Sequence, residues 1–447
     1  MSTVFPLASV VIPTHNRRVS VCRALEALAR QTCAPERFEV IVAANACSDG
    51  TLDSIRGLAL PYRLRALDLP APGAAAARNA GAQTARGTLL VFLDDDIDVA
   101  PEFVAAHLDA HGLDERLPAR ALPLRVALGY LPAVLQPEAD LFAIALRGWW
   151  EGMFDRMREP GHRFGYRDLL SGNCSLPREH FLRLGGFGET YRCHEDYELG
   201  YRLVRAGATF VFAELARGSH TDLTRLRRAC WRKREEGVAD VQLAIQHPDL
   251  RAALPLTRRT SFKQRVMRWL AFRAPRLGDG LVEVLGRSLG PLEAVGARSS
   301  WLRVLYAIFG YWYERGVAEA AGTRAALRTL IAPSRAAGEQ DDMDLDVTDV
   351  EAAEQRLDEV RPASVTLCVG ARAFGRIPSE PGTEPLAGRH LRPALNRIWH
   401  RAYVEALVEQ DLFPLLRPAN LSVAGRKGPD ANPIGLLPQA APPQAGR

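Results

Sequence analysis

Apolar runs and polar breaks alternate along the first hundred residues at a spacing that predicts strands and helices in turn. Val4 to Pro13 is a continuous apolar run ending in Thr14-His15-Asn16, the pattern of a buried strand with a polar turn at its carboxyl end. From Arg17 to Gln31 the apolar residues Val21, Leu25 and Leu28 recur at helical spacing. Phe38 to Ala43 predicts a second strand, followed by a loop from Asn45 and a short helix over Thr51 to Gly57. Tyr62 to Leu69 predicts a third strand, Gly73 to Thr84 an Ala-rich helix carrying Arg78-Asn79, and Leu89 to Leu93 a fourth strand running straight into Asp94-Asp95-Asp96. Such alternation implies an α/β domain whose mostly parallel sheet is covered by helices on both faces. Ligands of such sheets bind outside the carboxyl ends of the strands. Three of the four strand ends carry polar residues, so their side chains are expected to converge on one rim.

Further along, Glu195 to Ala206 reads as an amphipathic helix and Thr209 to Phe212 as another strand, followed by Gly218-Ser219-His220. The expected organisation is an α/β domain over 1–235, a helical extension over 236–335, an acidic linker over 336–360 that could be helical in part, a small element over 361–415 and a disordered tail over 416–447. In the small element, Val365 to Ile377 predicts a strand or hairpin and Leu391 to Leu412 a helix.

Composition narrows the picture. Fifty-seven basic against 52 acidic residues leave a net charge of +5, which does not imply a nucleic-acid partner. Seven cysteines, an odd number without a C-x-x-C pair, argue against a zinc ribbon or a disulfide framework. The first residues lack the basic and apolar regions of a secretory signal, and Val304 to Tyr313 is shorter than the roughly 20 residues a bilayer span needs. A cytoplasmic protein is therefore expected, either soluble or peripheral to the inner face of the membrane. The helical region with Trp301, Leu305, Phe309 and Trp312 is either a membrane-surface helix or a helix packed on the α/β domain.

Several clusters could carry chemistry. Three successive carboxylates at the end of a buried strand repel one another, a repulsion that Mg²⁺ or Mn²⁺ would relieve. In an extended chain Asp94 and Asp96 would share one side and Asp95 would take the other. Read alone, the triplet fits a metal site or a solvated turn equally well. His194-Glu195-Asp196 opens a helix, where carboxylates either cap the dipole or serve as a catalytic base. Arg78 could fork onto phosphate or the acidic cluster, His220 could complete an oxygen-rich metal site, and Trp149-Trp150 could stack on a sugar or belong to the core. The Arg225 to Arg234 cluster fits a solvated helix face or an anionic partner.

Taken in order, Val10-Val11-Ile12-Pro13-Thr14-His15-Asn16-Arg17, Ser48-Asp49-Gly50-Thr51, Ala77-Arg78-Asn79-Ala80-Gly81, Phe92-Leu93-Asp94-Asp95-Asp96, Gly185-Gly186-Phe187 and Glu195-Asp196-Tyr197-Glu198-Leu199-Gly200-Tyr201-Arg202-Leu203 resemble the motifs of family 2 glycosyltransferases with the GT-A fold. The resemblance covers about residues 5 to 235. It implies a GT-A sheet with a Rossmann-like nucleotide-binding half and an inverting, metal-dependent transfer from a nucleotide-diphosphate sugar, UDP being the commonest nucleotide. The acceptor would be a glycan, a lipid-linked precursor or a peptide. By this resemblance Pro13, Thr14, Asn16 and Arg17 line the nucleotide, with Asn45, Asp49 and Arg78 contributing to the donor site. Asp94 and Asp95 face the ribose and sugar diphosphate, Asp96 binds Mn²⁺ or Mg²⁺ with Asp94 and His220 as further ligands, and Asp196 is the base with Glu195 beside it. Asn173 and the pair Trp149-Trp150 lie where acceptors bind. One departure stands out: Ala44 occupies the position at which the family often carries an Asp that reads the base. Two other readings remain at this stage. A sugar nucleotidyltransferase would carry a Gly-rich loop where Pro13 to Arg17 has no glycine; a non-catalytic binding protein is suggested by Ala44 alone.

Overall fold

The computed structural model describes residues 6–113, 122–132, 134–135, 137–220, 224–257, 261–332 and 343–410. Eight strands form one sheet: β1 (Ala8–Thr14), β2 (Phe38–Asn45), β3 (Arg63–Leu69), β4 (Leu89–Leu93), β5 (Ile97–Val99), β6 (Arg125–Tyr130), β7 (Asn173–Pro177) and β8 (Thr209–His220). Their order is β3-β2-β1-β4-β7-β6-β8-β5. The half from β3 to β4 is wholly parallel, and β6 also runs parallel to β8. β1, β2 and β4 are buried at every position, which is why they read as unbroken apolar runs rather than alternating ones. The two core layers lie on opposite faces of these strands: Val11, Ile41 and Phe92 point into one, Val10, Val40 and Val91 into the other.

The sheet is curled, and chain length requires it. Leu93 and Ile97 are four residues apart, a reach of about 14 Å. In a flat sheet β4 and β5, four places apart in the order, would be separated by about 19 Å. The acidic triplet therefore forms a short bridge between the middle of the sheet and its returning edge. β8 is longer than the pattern predicted. It continues past Phe212 to His220, its last residues pairing with β5.

The expected boundary at residue 235 falls within the helix Leu226–Gln246, which packs against the helix Arg298–Ala321. Trp301 and Leu305 are buried there against Phe142, with Phe309 and Trp312 partly buried, so this stripe is core rather than a membrane-surface face. The segment expected as an acidic, partly helical linker is a packed element. Its described part forms β9 (Met343–Asp346) and a helix, Val350–Val360. The acidic residues there lie mostly outward while Leu345, Ala353 and Leu357 are buried, so a high charge count concealed an amphipathic pattern. β9 joins the hairpin β10 (Val365–Val369) and β11 (Arg372–Ile377) in a three-stranded sheet. The helix expected over Leu391 to Leu412 is broken at Ile398-Trp399 into Leu391–Arg397 and His400–Glu409. This small unit docks on the α/β domain through Arg163, whose guanidinium donates to the carbonyls of Glu384, Pro378 and Ala363 at 2.7–2.9 Å. The tail expected over 416–447 lies outside the described residues.

Candidate active site

Register places the first pair of site residues. β1 and β4 are parallel neighbours with Val11 opposite Phe92, so three residues further Thr14 stands level with Asp95. The Thr14 hydroxyl donates to Asp95 Oδ2 at 2.7 Å, and Arg17 Nη1 reaches Asp95 Oδ1 at 3.0 Å and Asp96 Oδ2 at 2.6 Å. Thr14 and Arg17, expected beside the nucleotide, are thus tied to the acidic cluster. Burial raises the Asp95 carboxyl to about 6 against the pull of Thr14 and Arg17. Burial acts on Asp96 in the same direction, but His220 and Arg17 outweigh it and hold its pKa at about 2. His220 is there because it pairs with Ile97 across β8 and β5, next to Asp96; its Nε2 lies 3.6 Å from Asp96 Oδ1.

Asp94 departs from the expected alternation. Asp95 and Asp96 occupy a turn, so strand geometry no longer applies. Asp95 and Asp96 share Arg17, while Asp94 turns away to Arg78 Nη2 at 2.7 Å. Arg78 is almost fully buried, and its Nη1 also donates to Glu195 Oε1 at 3.1 Å. One guanidinium therefore joins the end of β4 to the start of the helix Glu195–Arg205. The two carboxylates hold Arg78 above its ordinary value despite its burial. Beside them, burial and the Glu195 charge raise Asp196 to about 6, while His194, Arg232 and Arg78 pull it back. Burial pushes the Cys174 thiol up, with Arg78 pulling it down and Asp196 and Asp94 adding to the rise. Gly172 makes room for this arrangement, since a Cβ there would stand 2.8 Å from Asp94 Oδ2.

Asn79, next to Arg78, was missed as a structural clamp. Its amide donates to the Phe187 carbonyl at 2.9 Å and accepts from the Phe187 N–H at 2.8 Å, locking the Gly185-Gly186-Phe187 turn to the Ala-rich helix. His194, which precedes the Glu195-Asp196 pair, has a role of its own. It adopts a left-handed backbone (φ 63°), stacks on Tyr197, and places Nδ1 3.2 Å from Asp240 of the helix Leu226–Gln246. Asp240 accepts in turn from the Tyr313 hydroxyl at 2.7 Å, so the helical extension reaches the residue that precedes the Glu-Asp pair.

At the other end of the rim the polar groups are already engaged. Asn45 donates to the Thr14 carbonyl at 3.1 Å and accepts from the Gly73 N–H at 3.1 Å. Asp49 accepts from the backbone of Arg18 and Thr51 and from the Thr51 hydroxyl, and Asn16 accepts from the Ser48 N–H at 2.8 Å. Pro13 and Ala44 are buried in their strands. Asn45 and Asp49 thus hold the loops that follow the strand carrying Ala44.

Among the acceptor candidates, Asn173 stands level with Leu93 at the end of β4, but its side chain is turned inward. It is buried, donating to the Ala216 carbonyl at 2.8 Å, with its Oδ1 2.9 Å from His107 Nε2. His107 Nδ1 and His111 Nε2 each lie 2.9 Å from the Ser175 hydroxyl. The network closes with both rings neutral: His111 donates to Ser175, Ser175 to His107, His107 to Asn173 and Asn173 to Ala216. Burial drives both histidines down, to about 4 and about 3. The signal was present as His107 and His111 four apart on one helix face. Trp150 packs against the core beside Phe154, whereas Trp149 is half exposed next to Lys233.

Among the described residues, no three His, Cys, Asp or Glu side chains converge to hold a metal ion unaided. Asp96 and His220 do form a two-donor edge of one ionised oxygen ligand and one imidazole. That suits a cation that fills its other positions with diphosphate oxygens and water. Asp94, engaged by Arg78 on the other side, does not join that edge.

Residues 9–116 match the family model for glycosyl transferase family 2. Validoxylamine A glucosyltransferase of Streptomyces hygroscopicus subsp. limoneus is 36% identical over 228 residues, 44% of this chain and 48% of the relative. The uncharacterized glycosyltransferase YfnE of Bacillus subtilis is 30% identical over 244 residues, 45% of this chain and 62% of the relative. The chain thus spans about half to three-fifths of the length of these curated relatives. Among solved structures, the mannosyltransferase PcManGT from Pyrobaculum calidifontis, in complex with GDP-Man and Mn²⁺, superposes with a TM-score of 0.44 at 16% identity, covering 70% of this chain and 87% of that one. Over residues 9–116 the chain thus carries a segment similar to glycosyltransferase family 2, and the curated relatives it resembles are named as glycosyltransferases.

Proposed function

We propose that the chain transfers a sugar from a nucleotide-diphosphate donor to an acceptor hydroxyl with inversion at the anomeric carbon. The observation that carries this reading is the Arg78 bridge, which ties the donor-side Asp94 to Glu195, the neighbour of Asp196. The acceptor oxygen attacks the anomeric carbon, and its proton passes to Asp196. The bond to the diphosphate oxygen breaks, and the electron pair leaves with the diphosphate. A pKa near 6 suits a base that must be ionised at neutral pH yet still attract a proton. Glu195, paired with Arg78, is assigned to positioning rather than to proton transfer.

Asp96 and His220 would hold Mg²⁺ or Mn²⁺, whose charge would stabilise the leaving diphosphate. Arg17, half exposed and reaching both Asp95 and Asp96, is placed to contact a phosphate brought to the same spot. UDP-hexose is the first donor to test, with GDP- and dTDP-sugars next because Ala44 supplies no carboxylate to a base N–H. Hexosyl transfer fits a relative named as a glucosyltransferase. A glycan, lipid-linked or peptide hydroxyl would be the acceptor, with the exposed Trp149 as its stacking surface. The test is nucleotide release from a nucleotide-sugar panel with Mn²⁺ or Mg²⁺. The reading predicts one preferred donor and loss of turnover in Asp96→Ala; turnover unchanged in that variant would refute the assignment of Asp96.

A further inference from the structure

The chain's surplus charge lies in one segment. Residues 261–306 hold eight basic and three acidic residues, a net of +5 that equals the net +5 of the whole chain, so the rest is neutral. Of the eight basic side chains all but Arg268 are exposed; of the three acidic ones only Glu283 is.

The same segment turns its large apolar side chains outward. In the helix Pro275–Arg287 the one buried residue is Gly278, which sits against the Tyr311 ring. Leu277, Leu281, Val284 and Leu285, at i, i+4, i+7 and i+8, form an exposed stripe on the adjoining side. Arg276 and Arg287, eleven positions apart, flank that stripe along one side. The preceding helix, Phe262–Arg273, repeats the arrangement: Ala271 is buried while Phe262, Val266 and Trp269 are exposed at i, i+4 and i+7. Both helices pack on Arg298–Ala321, which exposes Leu302 and Tyr306 near its start. The packed sides carry Met267, Leu270, Phe272 and Val282 as well, so each helix is apolar on two sides and presents leucine, valine, phenylalanine or tryptophan to solvent beyond what its packing uses.

We propose that this face lies on an anionic lipid bilayer, with the apolar stripes in the interface and the arginines at the headgroups. A second copy of the chain is the poorer occupant, because a two-fold contact would bring like charges together. No helix among the described residues is long and apolar enough to cross a membrane, so attachment of these residues would be interfacial. The face is also coupled to the proposed base. Tyr306 and Tyr313 lie seven residues apart on one helix, about 10 Å along its axis, and Tyr313 bonds Asp240 beside His194. Only this coupling rests on the transferase reading; the docking face does not.

Vesicle co-sedimentation tests the inference without any activity assay. The full chain is mixed with vesicles of phosphatidylcholine alone or with about 30% phosphatidylglycerol, at low and high salt. Binding is expected to the anionic vesicles and to fall about tenfold or more on neutral vesicles or in high salt. Leu281→Glu/Val284→Glu, both at exposed positions, should abolish binding while leaving the melting temperature unchanged, and Arg276→Glu/Arg287→Glu should weaken it on anionic vesicles only. Absence of binding to anionic vesicles overturns the proposal. So does binding indifferent to Leu281→Glu/Val284→Glu, or a dimer in sedimentation velocity that this double substitution dissociates.

Discussion

Replacing Arg78 by Met should separate the two halves of the site. The guanidinium is almost fully buried and makes two charge-assisted hydrogen bonds, to Asp94 at 2.7 Å and to Glu195 at 3.1 Å. Removing one partner of a buried ionic group costs about 3–5 kcal/mol, because the remaining charges lose compensation. Asp94 is partly exposed and can rehydrate, so the lower end, about 3 kcal/mol, is expected here. The second consequence is electrostatic. Arg78 is one of the cations that restrain the Asp196 pKa, so its loss should move that pKa further above 6 and shift the acidic limb of the rate profile to higher pH. Arg78→Lys should recover part of the stability but not both contacts, since an ammonium lacks the planar fork. Denaturant melts report the first effect and pH profiles of kcat/KM the second. An Arg78→Met protein with wild-type stability and an unmoved acidic limb would refute the view that one buried cation holds the site together.

Other outcomes follow from the same geometry. In the wild type, kcat/KM should fall as pH drops through about 6, where Asp196 takes up its proton, and a limb displaced by more than a unit would dissociate Asp196 from the base. His107 and His111 are neutral in the folded chain, with values of about 4 and about 3 against about 6.5 unfolded, so their contribution to stability is complete above about pH 6.5 and is lost as pH falls toward 4. For His107 alone the loss approaches about 3 kcal/mol; urea melts at neutral and acid pH should show it, and His107→Gln/His111→Gln should flatten the dependence. Asp95 and Asp196, whose values are raised, act in the opposite direction and gain stability on acidification, so the comparison between wild type and the double variant is the decisive one. Gly172→Ala should push the Asp94 carboxylate from its seat and weaken donor binding, read by calorimetry as a higher Kd, with the core intact by circular dichroism.

Much of this architecture was legible in the residue pattern. The fully buried strands β1, β2 and β4 announce themselves as apolar runs, and the polar residues after each run mark the rim. What the pattern could not supply was the curl of the sheet. β5 returns to the far edge beside β8, and that return brings His220 to Asp96 while turning Asp94 toward Arg78. Strand alternation, applied to residues that form a turn, assigned Asp94 and Asp96 to the same side. Nor does the residue pattern show that the Asn173 side chain is buried, which follows from the antiparallel pairing of β7 with β4. Residues 343–360 show the limit of composition, since a few apolar positions hidden among acids suffice to build a helix and a strand. The outward stripe on Pro275–Arg287 has the apolar spacing of a packed helix, and only packing decides which way it faces.

The central claim is that donor binding and proton abstraction are divided between Asp96 and Asp196 within one site. The most direct test is to measure donor affinity by calorimetry and turnover by nucleotide release, side by side, in Asp196→Asn. The account predicts affinity within about twofold of wild type and turnover reduced by roughly 10²–10⁴, the range for loss of a general base. Turnover that survives the substitution, or affinity and turnover lost together, would contradict it.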